Sequence, residues 1–150
     1  MKKVKEIMHT HVITTTPDKD LKEVAKVLLD NDVPALPVLD EDGKIVGIIG
    51  ESDLIHQDQK LHLPTMFFIL DTPINFEPWK LEQEMRHIMG QKVADLMRRK
   101  VYTLTPEDSI PEVSDIIVER KQEVVPIVED GKLVGIVGKK DIIRLHLSTE

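Results

Sequence analysis

The chain has 150 residues, enough for one good core or two small cores that share an interface, and its 41% hydrophobic and 31% charged content is typical of globular protein. Its net charge of −7 argues against a nucleic-acid-binding or anionic-membrane surface, since both require a basic face. The absence of cysteine excludes disulfides, zinc–thiolate sites and a thiol nucleophile. With no signal peptide and no transmembrane segment predicted, we expect a cytoplasmic protein.

The chain contains an internal repeat. Residues 4–55 align almost end to end with residues 93–143, at an offset of 89 residues that becomes 88 in a later loop. The clearest matches are Thr-x-Thr-Pro at 14–17 and 103–106, and Gly-Lys-hydrophobic-Val-Gly-Ile at 43–48 and 131–136. Such a repeat indicates two copies of one unit related by a pseudo-twofold axis, with clefts where they meet. We predict three parts: a first repeat at 1–55, a connector insert at 56–91 and a second repeat at 92–150.

Each copy begins with a short amphipathic leading segment, Val4–Met8 or Val93–Met97. An extended stretch follows and ends in Thr-x-Thr-Pro, where the proline cannot continue a strand ladder. Asp18–Asp20 and Glu107–Ser109 then offer N-cap chemistry for a helix whose apolar residues recur with helical period. Pro111 is tolerated because it falls in the first turn of its helix.

Two short apolar strands follow in each copy and are joined by a turn that contains Asp-Gly, a strong hairpin signal. A second helix, beginning near Ser52 or Lys140, closes the unit. The order β-α-β-β-α is therefore predicted for both copies, and the uniformly apolar strands predict a sheet that is buried on both faces. The predicted strands are Ala35–Leu39, Ile45–Ile49, Val124–Val128 and Leu133–Val137.

The insert at 56–91 differs in composition from the repeats. It contains all three phenylalanines and the only tryptophan, Trp79, in a chain with 3% aromatic residues. One interpretation is that it packs over the repeats as a structural brace. The other is that part of it forms a lid or a dimer contact.

The succession of Thr-x-Thr-Pro, helix, Leu-Pro-Val, Asp-Gly-Lys-hydrophobic-Val-Gly-Ile and Gly-x-x-Asp resembles a CBS domain, and the pairing resembles a tandem CBS pair, or Bateman module. This resemblance implies an α/β (α+β) fold in which two repeats pack sheet to sheet with pseudo-twofold symmetry. It also implies that adenosine-containing ligands bind in clefts between the repeats and that the pairs associate into flat homodimers.

The resemblance implies a set of binding residues. Adenine requires an apolar slot, which the extended stretches and one isoleucine of each repeat could supply. A carboxylate suits the ribose diol because it accepts from both hydroxyls, and the family's carboxylate falls on Asp53 and Asp141. Each aspartate is alternatively a first-turn helix residue favoured by the helix dipole. The apolar and polar candidates for the slot are Val12, Thr14, Thr16, Ile48, Val101, Thr103, Thr105 and Ile136.

The chain departs from the family pattern at the phosphate. The Ser or Thr that commonly precedes the aspartate by three residues is Gly50 in one copy and Gly138 in the other. No basic residue stands just before the Leu-Pro-Val strand, where the copies have Pro34-Ala35 and Glu123-Val124. Lys139 and Lys140 begin a helix in the second copy and could hold an anion, although a lysine pair there is also typical of plain surface. The first copy has Glu51-Ser52 at the equivalent place, which would repel an anion.

Other chemistries find little support in the sequence. The six histidines show no metal-binding spacing, so we expect no metal site, although His9 and His11 could flank an anion. No phosphate-binding loop, nucleophile elbow or paired acidic motif is present, so we expect no catalytic residue and no enzyme activity.

The leading hypothesis is a non-catalytic regulatory module that binds AMP, ADP, ATP or S-adenosylmethionine and has no other cofactor. The alternative is a scaffold with empty clefts that binds a protein partner. A homodimer is expected from the resemblance. The apolar helix faces Leu21-Val24-Leu28 and Ile110-Val113-Ile117 either pair across a twofold axis or are buried within their own protomer.

Overall fold

The computed structural model describes residues 2–55 and 91–148, so all but the last residue of the insert lies outside the described residues. The first repeat begins with a 3₁₀ turn at Val4–Glu6. Both repeats contain the predicted helices and paired strands. The first repeat comprises α1 (Leu21–Asn31), β1 (Ala35–Leu39), β2 (Ile45–Gly50) and α2 (51–55), and the second comprises α3 (Val93–Leu96), α4 (Ile110–Glu119), β3 (Val124–Glu129), β4 (Lys132–Gly138) and α5 (Lys139–Ser148).

The long helices begin where the sequence predicts. Asp20 and Ser109 are the N-cap residues of α1 and α4, both with extended backbone, and Pro111 lies in the first turn of α4. Glu112 accepts the Ser109 backbone N–H at 2.8 Å, as in a capping box. The buried residues of α1 are Leu21, Val24 and Leu28, and those of α4 are Ile110, Val113 and Ile116. The apolar faces are therefore largely buried within their own protomer. This is the second of the two alternatives given above, the first being that they pair across a twofold axis.

The strands form two antiparallel hairpins, β1–β2 and β3–β4. Pro37 pairs with Ile48 in the first and Pro126 with Ile136 in the second, so the registers are equivalent. Asp130 and Gly131 have positive φ values of 52° and 77°, as a two-residue hairpin turn requires. The Asp-Gly prediction is thereby confirmed in the second repeat.

The prediction of a first strand in each repeat is wrong, because that stretch does not form a regular strand. Residues 12–14 and 101–103 have no strand structure, and each stretch joins its sheet through one parallel bridge, Thr15 to Val38 or Leu104 to Ile127. In the first repeat, the Thr15 N–H donates to the Pro37 carbonyl at 3.0 Å. Pro37 therefore directs its backbone toward this edge but has no N–H for the next bond of the ladder. Pro126 occupies the equivalent position, so pairing stops after one bridge in both repeats.

The leading segments are exchanged between the repeats. Val4, which is fully buried, packs into the second core with Val113 and Val125, whereas Val93 completes the first core. Backbone hydrogen bonds support the exchange: Val4 N–H donates to the Asp108 carbonyl, and Val93 N–H donates to the Lys19 carbonyl, both at 2.9 Å. Each core therefore depends on a segment from the other half of the chain.

The two sheets pack against each other, as the resemblance implies. Ala35 and Ile48 of the first repeat form a buried cluster with Val124 of the second. Val101 and Ile136 pack against this cluster. The pseudo-twofold axis therefore passes close to an apolar interface between the sheets.

A cluster of ion pairs stabilises the N-terminal leading segment. We expect it to make the stability of the fold sensitive to acid. Lys3 and Lys5 contact the Glu107 carboxylate at 2.5 and 2.9 Å, and their hydrogen bonds lower the pKa of Glu107 from 4.5 to about 2. Because the folded-state pKa is depressed, the stabilisation is complete above the unfolded-state pKa near 4.5 and is lost as the pH falls toward 2. Urea unfolding at a series of pH values should show a steeper loss of stability in this window for the native protein than for Glu107→Gln. Glu119→Gln, an exposed change on α4, is the control, and parallel curves for the native protein and Glu107→Gln would contradict the prediction.

Candidate ligand-binding cleft between the two repeats

A cleft of about 760 Å³ lies between the two repeats. Its walls come from the segments that follow α1 and α4 and from the first turns of α2 and α5, with His9, which follows the N-terminal leading segment, at one side. Small-molecule sites commonly have volumes of roughly 300–1,000 Å³. The cleft therefore has room for a nucleotide-sized ligand at the place where the repeats meet.

The predicted binding residues divide into those that line this cleft and those that do not. Ile136, Lys139, Lys140 and Asp141 line it, and all four belong to the second repeat. Ile48 and Val101 lie in the apolar cluster that joins the sheets. The other predicted residues are not among those that line the cleft: Val12, Thr14, Thr16, Asp53, Thr103 and Thr105.

Two of the threonines outside the cleft belong to the turns that lead into the long helices. Thr16 donates its hydroxyl to the Asp18 carboxylate, and this bond lowers the pKa of Asp18. The Thr105 backbone N–H donates to the Asp108 carboxylate at 2.7 Å. Both threonines therefore take part in the local turns that precede the long helices.

Asp141 makes three polar contacts in the cleft. Its Oδ2 accepts the Gly138 backbone N–H at 2.8 Å, while its Oδ1 lies 2.6 Å from His9 Nε2 and 3.2 Å from Arg144 Nη1. The side chain is 10% exposed, whereas that of His9 is 57% exposed. A carboxylate has about four lone-pair positions, so Asp141 can accept one ligand hydroxyl directly and a second if His9 swings away.

Asp53 has the same local role in the first repeat. Its Oδ2 accepts the Gly50 backbone N–H at 2.8 Å, which is the bond that Asp141 makes to Gly138. The first-turn interpretation is therefore correct for one oxygen of each aspartate. Only Asp141 also lines the cleft.

The two helices that begin at the cleft start with residues of different charge. Lys139 and Lys140 begin α5 in the second repeat, whereas Glu51 and Ser52 begin α2 in the first. Lys140 Nζ lies 3.7 Å from Asp32 of the first repeat, and both side chains are largely exposed, so this ion pair is weak and open to exchange for another anion. The basic end of the cleft therefore lies at the start of α5.

Neither a metal cluster nor a membrane span was found in the described part of the chain. Within residues 2–55 and 91–148, no three His, Asp or Glu side chains come together in a way that could hold a metal ion. No helix in these ranges is long and apolar enough to cross a membrane.

Comparison with known families identifies the family to which the chain belongs. The CBS domain family matches residues 4–60 and 93–148. The chain belongs to the CBS domain family. This confirms the resemblance of the repeats to a tandem CBS pair.

Similar proteins match nearly the whole chain. Protein MJ1426 of Methanocaldococcus jannaschii is 32% identical over 151 residues, which cover 94% of this chain and 89% of that protein. The chloroplastic CBS domain-containing protein CBSX1 of Arabidopsis thaliana is 30% identical over 95% of this chain, which spans 61% of that protein. The solved CBS domain pair of protein MJ0100, in complex with 5′-methylthioadenosine and S-adenosyl-L-methionine, has a TM-score of 0.73 and 25% identity, covering 100% of this chain and 99% of that one.

Several further residues that line the cleft are not predicted as binding residues, among them Glu123, Arg144 and Asp32. Arg144 follows Asp141 by three residues on a helix, so helical spacing could have indicated their contact. Glu123 and Asp32 reach the cleft through contacts with the other CBS domain, for which the sequence offers no local signal.

Proposed function

We propose that the protein is a non-catalytic regulatory module that binds an adenosine-containing ligand on the second-repeat side of the cleft. Asp141 would accept the ribose hydroxyls, and Lys139 and Lys140 would lie near an anionic group at the start of α5. The observation that carries this proposal is the position of Asp141, a largely buried carboxylate beside two lysines in a cleft of about 760 Å³. The adenosine compounds bound by the MJ0100 pair support the choice of ligand class.

Regulation by such a ligand requires that it bind one arrangement of the repeats more tightly than another. Residues from both repeats line the cleft, so a bound ligand would contact both. In particular, an anionic group near Lys140 would compete with Asp32 for the lysine. The ligand would thereby replace one contact between the repeats with its own.

The test is a thermal-shift screen with AMP, ADP, ATP, S-adenosylmethionine and 5′-methylthioadenosine. A ligand at 100 times its Kd stabilises the native state by about 2.7 kcal/mol, which raises Tm by several degrees. We expect Asp141→Asn to abolish the shift. Asp53→Asn is a matched control, because it weakens the same helix-capping bond in the first repeat but lies outside the cleft lining. Loss of the shift in both variants would argue against Asp141 as the ribose residue.

A scaffold that binds a protein is the second candidate function. Five large apolar side chains of the described residues are exposed, and four of them form equivalent pairs: Leu29 with Val118, and Ile55 with Ile143. Their exposed fractions range from 55% to 76%. Matching apolar positions in both repeats suit an interface with twofold symmetry. The absence of a shift with every ligand of the screen would favour this function.

We propose that these four exposed side chains contact a second copy of the chain. The double variant Ile55→Lys/Ile143→Lys is expected to convert a dimer to a monomer in sedimentation velocity, since burying two lysines in an apolar interface is unfavourable. Lys44→Glu, at the exposed loop between β1 and β2, is the control and should remain dimeric. A native protein that sediments as a monomer would contradict the proposed homodimer.

A further inference from the structure

We infer that each chain binds a single ligand, because Glu123 and the packing around Gly50 close the first-repeat counterpart of the Asp141 site. This inference rests on the proposed function and specifies its stoichiometry. The repeat makes the comparison direct, since Gly50, Ser52 and Asp53 correspond to Gly138, Lys140 and Asp141. Two equivalent positions would bind two ligands if their surroundings were also equivalent.

Glu123 occupies the first-repeat position. Its Oε1 accepts the Ser52 backbone N–H at 3.2 Å and also contacts the Ser52 hydroxyl. The carboxylate of the second repeat therefore lies at the start of α2, where it satisfies polar groups of the first repeat. The residue equivalent to Glu123 in the first repeat is Pro34, which has no side-chain acceptor to offer Lys140.

The two equivalent glycines also differ in the space around them, because Gly50 is crowded and Gly138 is not. A Cβ on Gly50 would lie 2.7 Å from the Pro34 carbonyl oxygen, 2.8 Å from the Ala35 Cβ and 3.2 Å from Glu123 Oε2. A Cβ on Gly138 would find its nearest neighbours at 3.8 and 3.9 Å, in ordinary contact. Accordingly, Gly138 lines the cleft and Gly50 does not.

The charges near the two helix starts also disfavour an anionic ligand at the first-repeat position. Glu51 and Glu123 both lie near the start of α2, so an anionic ligand would meet repulsion there as well as an occupied position. Lys139 and Lys140 stand at the corresponding place in the second repeat. Steric closure and like charge therefore both direct the ligand to the second repeat.

The closure can be tested first without any ligand. Gly138→Ser is expected to leave Tm nearly unchanged, because the added Cβ makes only ordinary contacts. Gly50→Ser is expected to lower Tm by several degrees or to prevent folding, because Pro34 and Ala35 obstruct the new side chain. Equal effects of the two substitutions would show that the two positions are equally open and would overturn the inference.

Native mass spectrometry with AMP and with S-adenosylmethionine then counts ligands per chain. One bound ligand per chain, lost in Asp141→Asn and kept in Asp53→Asn, is the expected result. Glu123→Ala, which removes the carboxylate from α2, is expected to permit a second, weaker binding event. Two ligands per chain in the native protein would overturn the inference and leave the proposed function standing. Binding of neither compound would count against the proposed function, and the glycine variants would then decide the closure alone.

Discussion

Replacement of Gln122 by alanine is expected to lower the free energy of unfolding by about 3 kcal/mol. The Gln122 side chain is fully buried. Its Oε1 accepts the Tyr102 backbone N–H at 3.0 Å, and its Nε2 donates to the carbonyls of Tyr102 and Val124 at 2.8 and 2.9 Å. One substitution therefore removes the partner of three backbone groups, two of them on Tyr102.

The large effect follows from Pro126. In a continued parallel ladder, the residue at 126 would donate its N–H to the Tyr102 carbonyl, and proline has no N–H to donate. The Gln122 amide supplies that donor and also accepts from the Tyr102 N–H, so it extends the edge of the sheet with a side chain. The first repeat has Val33 at the equivalent position and makes no such bonds through a side chain.

Urea unfolding of Gln122→Ala measures this effect, with Val33→Ala as the matched control. We expect the control to lose about 1 kcal/mol, the value for partly buried methyl groups. Gln122→Glu should also be strongly destabilised, because a carboxylate has the shape of the amide but cannot donate. A loss below 1 kcal/mol for Gln122→Ala would mean that water satisfies the Tyr102 backbone in solution.

Replacement of Val4 by aspartate is expected to lower the free energy of unfolding by about 4 kcal/mol, since it places an unpaired charge in a core. Residues this close to a terminus ordinarily tolerate substitution. Val4 is the exception because it is 0% exposed and packs among the buried residues of the second repeat. Val93→Asp, its equivalent, should cost a similar amount through the first core.

Lys2→Asp provides the control for Val4→Asp, because it places the same carboxylate at an exposed position two residues before Val4, with a net charge change that is larger by one unit. Equilibrium urea unfolding should show native-like stability for the control. Amide hydrogen exchange should show loss of protection in β3 and β4 for Val4→Asp, although these strands are far from Val4 in the sequence. Native-like stability of Val4→Asp would contradict the exchange of leading segments between the repeats.

The helices and paired strands could be predicted because their signals are local. Asp20 and Ser109 begin their helices where N-cap chemistry precedes an apolar period, and the Asp-Gly turn separates two apolar runs. The first strand of each repeat was predicted incorrectly, because Pro37 and Pro126 lie in a strand that pairs on both sides. The lost hydrogen bond is visible only once the strand order is known.

The candidate site could be predicted in part. The equivalence of Asp53 and Asp141 is a property of the repeat, and their shared bond to a glycine N–H follows from sequence separation of three residues. Their difference is a property of the surroundings. His9 reaches Asp141 across 132 residues of sequence, and Glu123 reaches Ser52 across 71.

The sequence by itself determined that this protein has two copies of one CBS unit, the kinds of elements in each copy and the residues that are equivalent between them. Those properties depend on local periodicity, turn chemistry and self-similarity, which a single chain displays. The tertiary structure alone decided that the leading segments are exchanged, that Gln122 replaces a missing ladder bond and that Asp141, but not Asp53, lines the cleft. These depend on contacts between distant residues, and two copies with nearly the same local signals acquire different roles only when their different neighbours are brought into contact.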